Sequence, residues 1–338
     1  MNTGKCTEID VNIDSALKVI VSKVHDSGTI SREDALKLLE VDLQRLCSSA
    51  DQIRKDFCGD GFDLCSIVNG KSGRCSENCK YCAQSAFYQT NVEQYPLMAE
   101  DKMIEQGRYN HERGVGRFSI VTSGKRLSDS DVEVLCKTVK RIVSEVGIKV
   151  CISGGLLSEA NFKKLHDAGA TRVHNNLETS ENFFPSICTT HTYQDKIDAI
   201  QAARRAGMEV CSGGIIGLGE SWEDRIDLAL RLRELEIQSI PVNVLNPIEG
   251  TPLENNRILT EDEVRRALAI FRFINPQASI RMAGGRGCMS DSGRMCFMSG
   301  ANAAITGDML TTSGITIARD MEILKELGYE PFFSASQY

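Results

Sequence analysis

The chain has 338 residues, is 41% apolar, and carries 39 basic against 46 acidic side chains for a net charge of −7. That is enough for one barrel-sized domain or two smaller ones. The acidic balance argues against nucleic acid or an anionic membrane as the main partner and favours a small-molecule substrate. No apolar run approaches the eighteen or so residues of a spanning helix, and MNTGKCTEIDVNID lacks the charged and apolar regions of a secretory signal. The expectation is a cytoplasmic protein. Its 13 cysteines, an odd number, suit reduced thiols, some ligating metal and others packing in the core, better than a disulfide framework.

In chain order, SALKVIVSKV, then SREDALKLLE with Ser31 as N-cap, then QRLCSSADQIRKDF predict an N-terminal helical extension over 1–60. From there β-rich runs alternate with amphipathic stretches: LCSIV, RFSIVTS, IKVCISG, TRVHNNLE, MEVCSGGII, SIPVNVL, ASIRMAG and NAAITGDML. Between most of them lie DSDVEVLCKTVKRIVSEV, SEANFKKLHDAG, YQDKIDAIQAARRAG, SWEDRIDLALRLREL and TEDEVRRALAIFRFIN. Ser158, Ser221 and Thr260 fall at N-cap positions, and Gly169 and Gly207 where helices should end. Repeated βαβ units of this kind predict an α/β fold, a (β/α)8 TIM-type barrel over 61–330, followed by a tail over 331–338. A doubly wound open sheet is the alternative.

After the first strand comes GKSGRCSENCKYCAQS, a C-x3-C-x2-C loop of Cys75, Cys79 and Cys82. Three thiolates in one loop can hold three irons of a four-iron cluster and leave the fourth open to a substrate group. A zinc site is the structural alternative. Zinc normally takes four ligands, and no fourth Cys or His lies nearby at zinc-finger spacing.

This loop, with Tyr81 before its last Cys, resembles that of the radical S-adenosylmethionine superfamily. The resemblance narrows over CSENCKYCAQS, VHNNLETS, TTHTYQDKIDAI, VCSGGIIGLGE, IPVNVLNPIEGTPL, IRMAGGRG, MCFMSGAN and MLTTSG, which in this order are similar to the biotin synthase family. It implies a 4Fe-4S cluster and S-adenosylmethionine as cofactors, dethiobiotin as substrate, an auxiliary iron–sulfur cluster as sulfur donor, a low-potential electron donor and a homodimer. Residue by residue, it implies that Tyr81, Gly213 and Ile215 lie beside the adenine and that Asn176 and Glu178 hold the ribose. The family often has Asp where Glu178 stands. His191 would bind the methionine carboxylate, Asn176 and Asn243 the ureido ring, and Thr311 and Thr312 the carboxylate tail of dethiobiotin. Without the resemblance, turn formation would account for the Asn residues and strand-end propensity for the Thr pair.

Cys151, Cys211 and Arg281 occupy comparable places in strands three, five and seven, so they could meet inside a barrel. The resemblance implies that these positions, with a further Cys on strand two, ligate a two-iron auxiliary cluster, Arg281 being the nitrogen ligand. Here the strand-two position is Ser119, and serine is a poor substitute for a thiolate on iron. Three readings stay open: Ser119 ligates as an alkoxide, the auxiliary cluster is absent, or another Cys compensates and changes the cluster type. Cys288, flanked by glycines in GGRGCMSDSG, is the candidate for the third, with Cys151 and Cys211 then holding a four-iron cluster that carries an extra sulfide. Cys136 and Cys296 read as packing residues, and Cys6, Cys47, Cys58, Cys65 and Cys188 have no assigned role. The alternatives to sulfur insertion are a maturase-like radical enzyme acting on another small molecule, or a non-catalytic iron–sulfur or zinc scaffold.

Overall fold

The computed structural model describes residues 8–307, 309–310 and 314–332, with side chains from residue 15 onward. Cys6, Thr311, Thr312 and the end of the expected tail fall outside the described residues.

All the β-rich runs become strands of one parallel sheet. They are β1 (Gly61–Lys71), β2 (Arg117–Thr122), β3 (Lys149–Ser153), β4 (Ala170–His174), β5 (Glu209–Cys211), β6 (Gly214–Ile216), β7 (Ser239–Val244), β8 (Ser279–Met282) and β9 (Ala303–Thr306). Neighbours in chain order pair, except that β5 and β6 each pair with β7 and not with one another, and β9 returns to β1 through Asp63↔Ala303 to Ser66↔Thr306. That last pairing closes the ring, so the barrel prevails over the open sheet. A short β10 (Glu330–Pro331) extends the N-terminal edge of β1.

Around the ring stand α4 (Glu100–His111), α5 (Asp129–Glu145), α6 (Glu159–Asp167), α7 (Tyr193–Arg205), α8 (Trp222–Glu234), α9 (Glu261–Ile274), α10 (Arg294–Phe297) and α11 (Ile317–Leu327). Ser158, Ser221 and Thr260 each accept the N–H three residues on, as expected of N-caps. Gly169 and Gly207 follow α6 and α7 with φ of 107° and 86°, conformations that a side chain would strain. The N-terminal helices are α1 (Glu8–Ser27), α2 (Arg32–Lys37), capped by Ser31, and α3 (Leu43–Cys58). They pack on the barrel's outer helices: Arg266 of α9 donates to the carbonyls of Leu38, Leu39 and Val41, and Arg32 pairs with Asp227 of α8. Their apolar residues merge with those of the barrel into one core.

Candidate active site

The loop after β1 is shaped by its own backbone before any ligand is considered. The Cys75 N–H donates to the Gln84 carbonyl at 2.9 Å, and the Cys75 carbonyl accepts from Ala86 at 2.8 Å. Asn78 ties the loop to the 189–190 segment, its Nδ2 donating to Thr189 Oγ1 at 2.7 Å and its Oδ1 accepting from the Thr189 N–H at 2.9 Å. Cys75 and Cys82 face a cavity of about 400 Å³ that opens at the C-terminal ends of the strands. Burial pushes the Cys82 thiol up to about 11. This donor set fits an iron–sulfur cluster, since three thiols stand on one backbone-fixed loop and two of them turn toward a ligand-sized space.

A fourth sulfur lies beside the third thiol, where sequence spacing could not find it. Cys188 Sγ is 3.7 Å from Cys79 Sγ and 3.3 Å from His191 Nδ1, and that nitrogen is 2.6 Å from Glu77 Oε2. Cys79, Cys188 and His191 could together hold a metal ion. The hydrogen bond to Cys188, then burial, drives the Cys79 thiol well above its ordinary value, and Cys188 is the more acidic of the pair because it accepts that bond and also faces His191. His191 is thus engaged by Glu77 and Cys188 and does not line the cavity, whereas Lys196 of α7 does.

One wall of the cavity is made where β4 ends beside the β5–β6 joint. Asn176 Oδ1 accepts the Gly213 N–H at 3.0 Å, and the Glu178 backbone bonds to Gly213 and Ile215 across the gap. Glu178 sits at φ 74°, so its carboxylate is aimed by an uncommon backbone turn. That carboxylate accepts from Asn176 Nδ2 at 3.3 Å, and Tyr81 of the loop lines the same cavity. Asn243 donates to the Gly214 carbonyl at 3.0 Å and accepts from the Gly284 N–H at 2.9 Å, bracing β6 and β8 from β7.

Deeper in the barrel the inward side chains are polar. Cys65, Ser119, Cys151, Cys211 and Arg281 all line the cavity. Burial tends to raise the Asp63 carboxyl, but Arg281, Arg172 and Arg117 hold it well below the usual carboxylate range. Burial likewise acts to raise Cys211, but a hydrogen bond to His174 and the nearby arginines bring it down to about 6. Cys151, buried beside the other thiols, is pushed up to about 12. Arg281 does reach the cavity, but its guanidinium is bound to Asp63 Oδ2 and to the carbonyls of Asp63 and Ala304. Cys288 is exposed on a single 3-10 turn, Arg286–Cys288, and lines no part of the cavity. The sequence missed Cys65 because a Cys within an apolar strand run looks like a small core residue. Its alternation with Asp63 was the available signal. Cys296 packs in the core and Cys136 lies half-buried on α5, as expected of packing residues.

A parallel (β/α)8 barrel whose first strand opens into a three-thiol loop is the architecture of a radical S-adenosylmethionine enzyme. The Radical SAM superfamily profile matches residues 71–232, and that of the Biotin and Thiamin Synthesis associated domain matches residues 241–330. The chain is 54% identical to the biotin synthase of Brachyspira hyodysenteriae over 94% of its own length and 98% of that protein. It is 59% identical to biotin synthase 2 of Corynebacterium diphtheriae, covering 90% and 92% of the two chains. Methylornithine synthase superposes with a TM-score of 0.80 at 19% identity, covering 93% of this chain and 97% of that one, which shows a shared fold. The chain belongs to the biotin synthase family and is a radical S-adenosylmethionine enzyme. Membership implies a four-iron cluster and S-adenosylmethionine. No helix among the described residues is long and apolar enough to cross a membrane.

Proposed function

We propose that this enzyme inserts sulfur into dethiobiotin to form biotin, with Cys75, Cys79 and Cys82 holding the four-iron cluster. When bound, that cluster and S-adenosylmethionine supply a 5′-deoxyadenosyl radical, and an auxiliary iron–sulfur cluster in the barrel supplies the sulfur. The observation that carries the proposal is that one cavity has thiols at both ends, those of the loop at its mouth and Cys65, Cys151 and Cys211 within. Its volume, about 400 Å³, suits one small-molecule site between them.

The protein's own part is binding and shielding. Asn176 and Glu178, fixed against Gly213 and Ile215, offer an amide and a carboxylate for ribose hydroxyls, with Tyr81 beside the adenine. Lys196 faces the mouth and can meet the methionine carboxylate; His191 would first have to leave Glu77. Asn176 and Asn243 can address the ureido ring, and Thr311 and Thr312 are assigned to the substrate's carboxylate tail. Ile67, Val121, Pro241 and Ile305 add apolar side chains to the cavity lining, which would limit water around a reactive radical. A low-potential electron donor, a cytoplasmic setting and a homodimer belong to the same proposal.

The test is an anaerobic reaction of reconstituted protein, S-adenosylmethionine, a low-potential reductant and dethiobiotin, read by mass spectrometry. Biotin and 5′-deoxyadenosine together are expected. Deoxyadenosine without biotin would remove the substrate assignment and leave the radical chemistry standing.

A further inference from the structure

Ser119 leaves the barrel one thiol short on strand two, yet the structure supplies a thiol on the strand beside it. β1 runs unbroken, so Asp63, Cys65 and Ile67 share one face, and Cys65 and Ile67 both line the cavity. Cys65 pairs in register with Arg117 of β2 and Ile305 of β9, which line it too. Among the described cysteines, Cys47, Cys188 and Cys296 are buried within the apolar core cluster. Cys65, Cys151 and Cys211 are buried but stand outside that cluster, facing the cavity instead. The Cys65 thiol reaches only the carbonyl of its neighbour Ser66, at 3.6 Å.

We infer that Cys65 replaces the thiol absent from strand two, so that Cys65, Cys151 and Cys211 are the protein ligands of the auxiliary cluster and Arg281 is not one. This rests on the sulfur-insertion proposal above. Ligation by Arg281 would require a nitrogen lone pair, which means a deprotonated guanidine. Arg281 instead donates from both terminal nitrogens to the Asp63 carboxylate and to two carbonyls, the pattern of a guanidinium held in its charged form. Ser119 stands in register with Cys151 on the neighbouring strand, and its hydroxyl is a poorer iron ligand than the three thiols beside it.

Cys288 is excluded by what holds its turn in place. Arg286, fully buried, pairs with both Asp320 oxygens at 2.5 and 2.7 Å and donates to the Ile305 carbonyl at 2.9 Å. Bringing Cys288 into the barrel would pull this buried ion pair apart. Arg117, Arg172 and Arg281 beside the three thiols share only two carboxylates, Asp63 and Glu209, so the floor keeps a positive charge that favours anionic ligands. Such a set matches that of the loop and predicts a second four-iron cluster with one iron free of protein ligands.

The test isolates the inner site in the chain carrying Cys75→Ala, Cys79→Ala and Cys82→Ala, reconstituted anaerobically with iron and sulfide. Iron and sulfide analysis with Mössbauer spectroscopy is expected to find about four irons per chain. Adding Cys65→Ser should remove more than half of that iron and alter the spectrum, whereas adding Cys288→Ser should change neither. Serine keeps the size of the side chain, and thermal unfolding of the two apo-proteins shows that iron loss is not unfolding. In the otherwise unaltered chain, Cys65→Ser should still release 5′-deoxyadenosine while losing biotin. Unchanged iron and spectrum with Cys65→Ser, or loss with Cys288→Ser, overturns the ligand assignment. No iron in the loop-deficient chain overturns it and removes the barrel as a sulfur source. A Cys65-dependent cluster in a protein that makes no biotin supports the ligand set and rejects the substrate.

Discussion

At Gly213 a Cβ would fall 1.9 Å from the Pro241 carbonyl oxygen, a backbone atom that cannot swing aside. The missing side chain lets β7 approach the β5–β6 joint, and that approach fixes the N–H that Asn176 accepts. Gly213→Ala is therefore expected to displace the wall carrying Asn176 and Glu178 and to lower S-adenosylmethionine cleavage at least tenfold. A comparison of deoxyadenosine formation between variant and parent checks this, and equal rates would separate that wall from cofactor binding. Asp63 governs the floor in a similar way, since one buried carboxylate holds Arg281 and Arg172. Asp63→Asn leaves the buried Arg281 without its carboxylate and Arg172 with Glu209 alone, which should cost about 3 kcal/mol of stability. Denaturant unfolding of the apo-protein measures it; a loss under about 1 kcal/mol would mean that water already shields those charges.

Among the elements, α8 offers a cap whose energetics depend on pH. Asp224 accepts from Ser180 Oγ at 2.6 Å and from the Ser221 N–H and Oγ at 2.9 Å each. Burial works against the charged form, but these hydrogen bonds outweigh it and lower the Asp224 pKa. A carboxyl depressed in the folded state adds stability that is fully present above its unfolded value of about 3.9 and lost as pH falls through the folded value. Asp224→Ala should cost about 1–2 kcal/mol at pH 7. The gap from the parent should narrow below about pH 4, as thermal unfolding across pH would show. The caps themselves were readable in the sequence, because Ser31, Ser158, Ser221 and Thr260 each precede an amphipathic run and bond only within one turn. Longer-range features were not. The run MEVCSGGII reads as one strand, and the break at Ser212 and Gly213 exists only because β7 lies against it. The helix α4 escaped because Gly107 and a mostly polar turn weaken its apolar stripe. Parallel strands are buried on both faces, which weakens the Asp63–Cys65 alternation as a signal, while Cys288 drew notice because the family pattern has no Cys there and its flanking glycines would let the loop bend.

At the scale of the molecule, the sequence predicts a helical extension over residues 1–60, and the described helices of that extension pack into the core. Leu46, Ala50 and Ile53 of α3 are fully buried in the same apolar cluster as Leu268 and Phe271 of α9. Polar ties reinforce the contact. Arg266 donates to three carbonyls between α2 and α3, Arg233 to the Ile30 carbonyl at 2.8 Å, and the buried Arg272 to Cys58 Sγ at 3.4 Å. Removing residues 1–58 would expose the apolar face of α9 and strip partners from these arginines, and an exposed face of that size favours aggregation over a folded monomer. The truncated chain is expected to lack a cooperative thermal transition, whereas the full apo-protein unfolds in one. A truncated chain that melts cooperatively within a few degrees of the full one would show that the barrel stands alone. In that case the helical extension would serve some purpose other than completing the core.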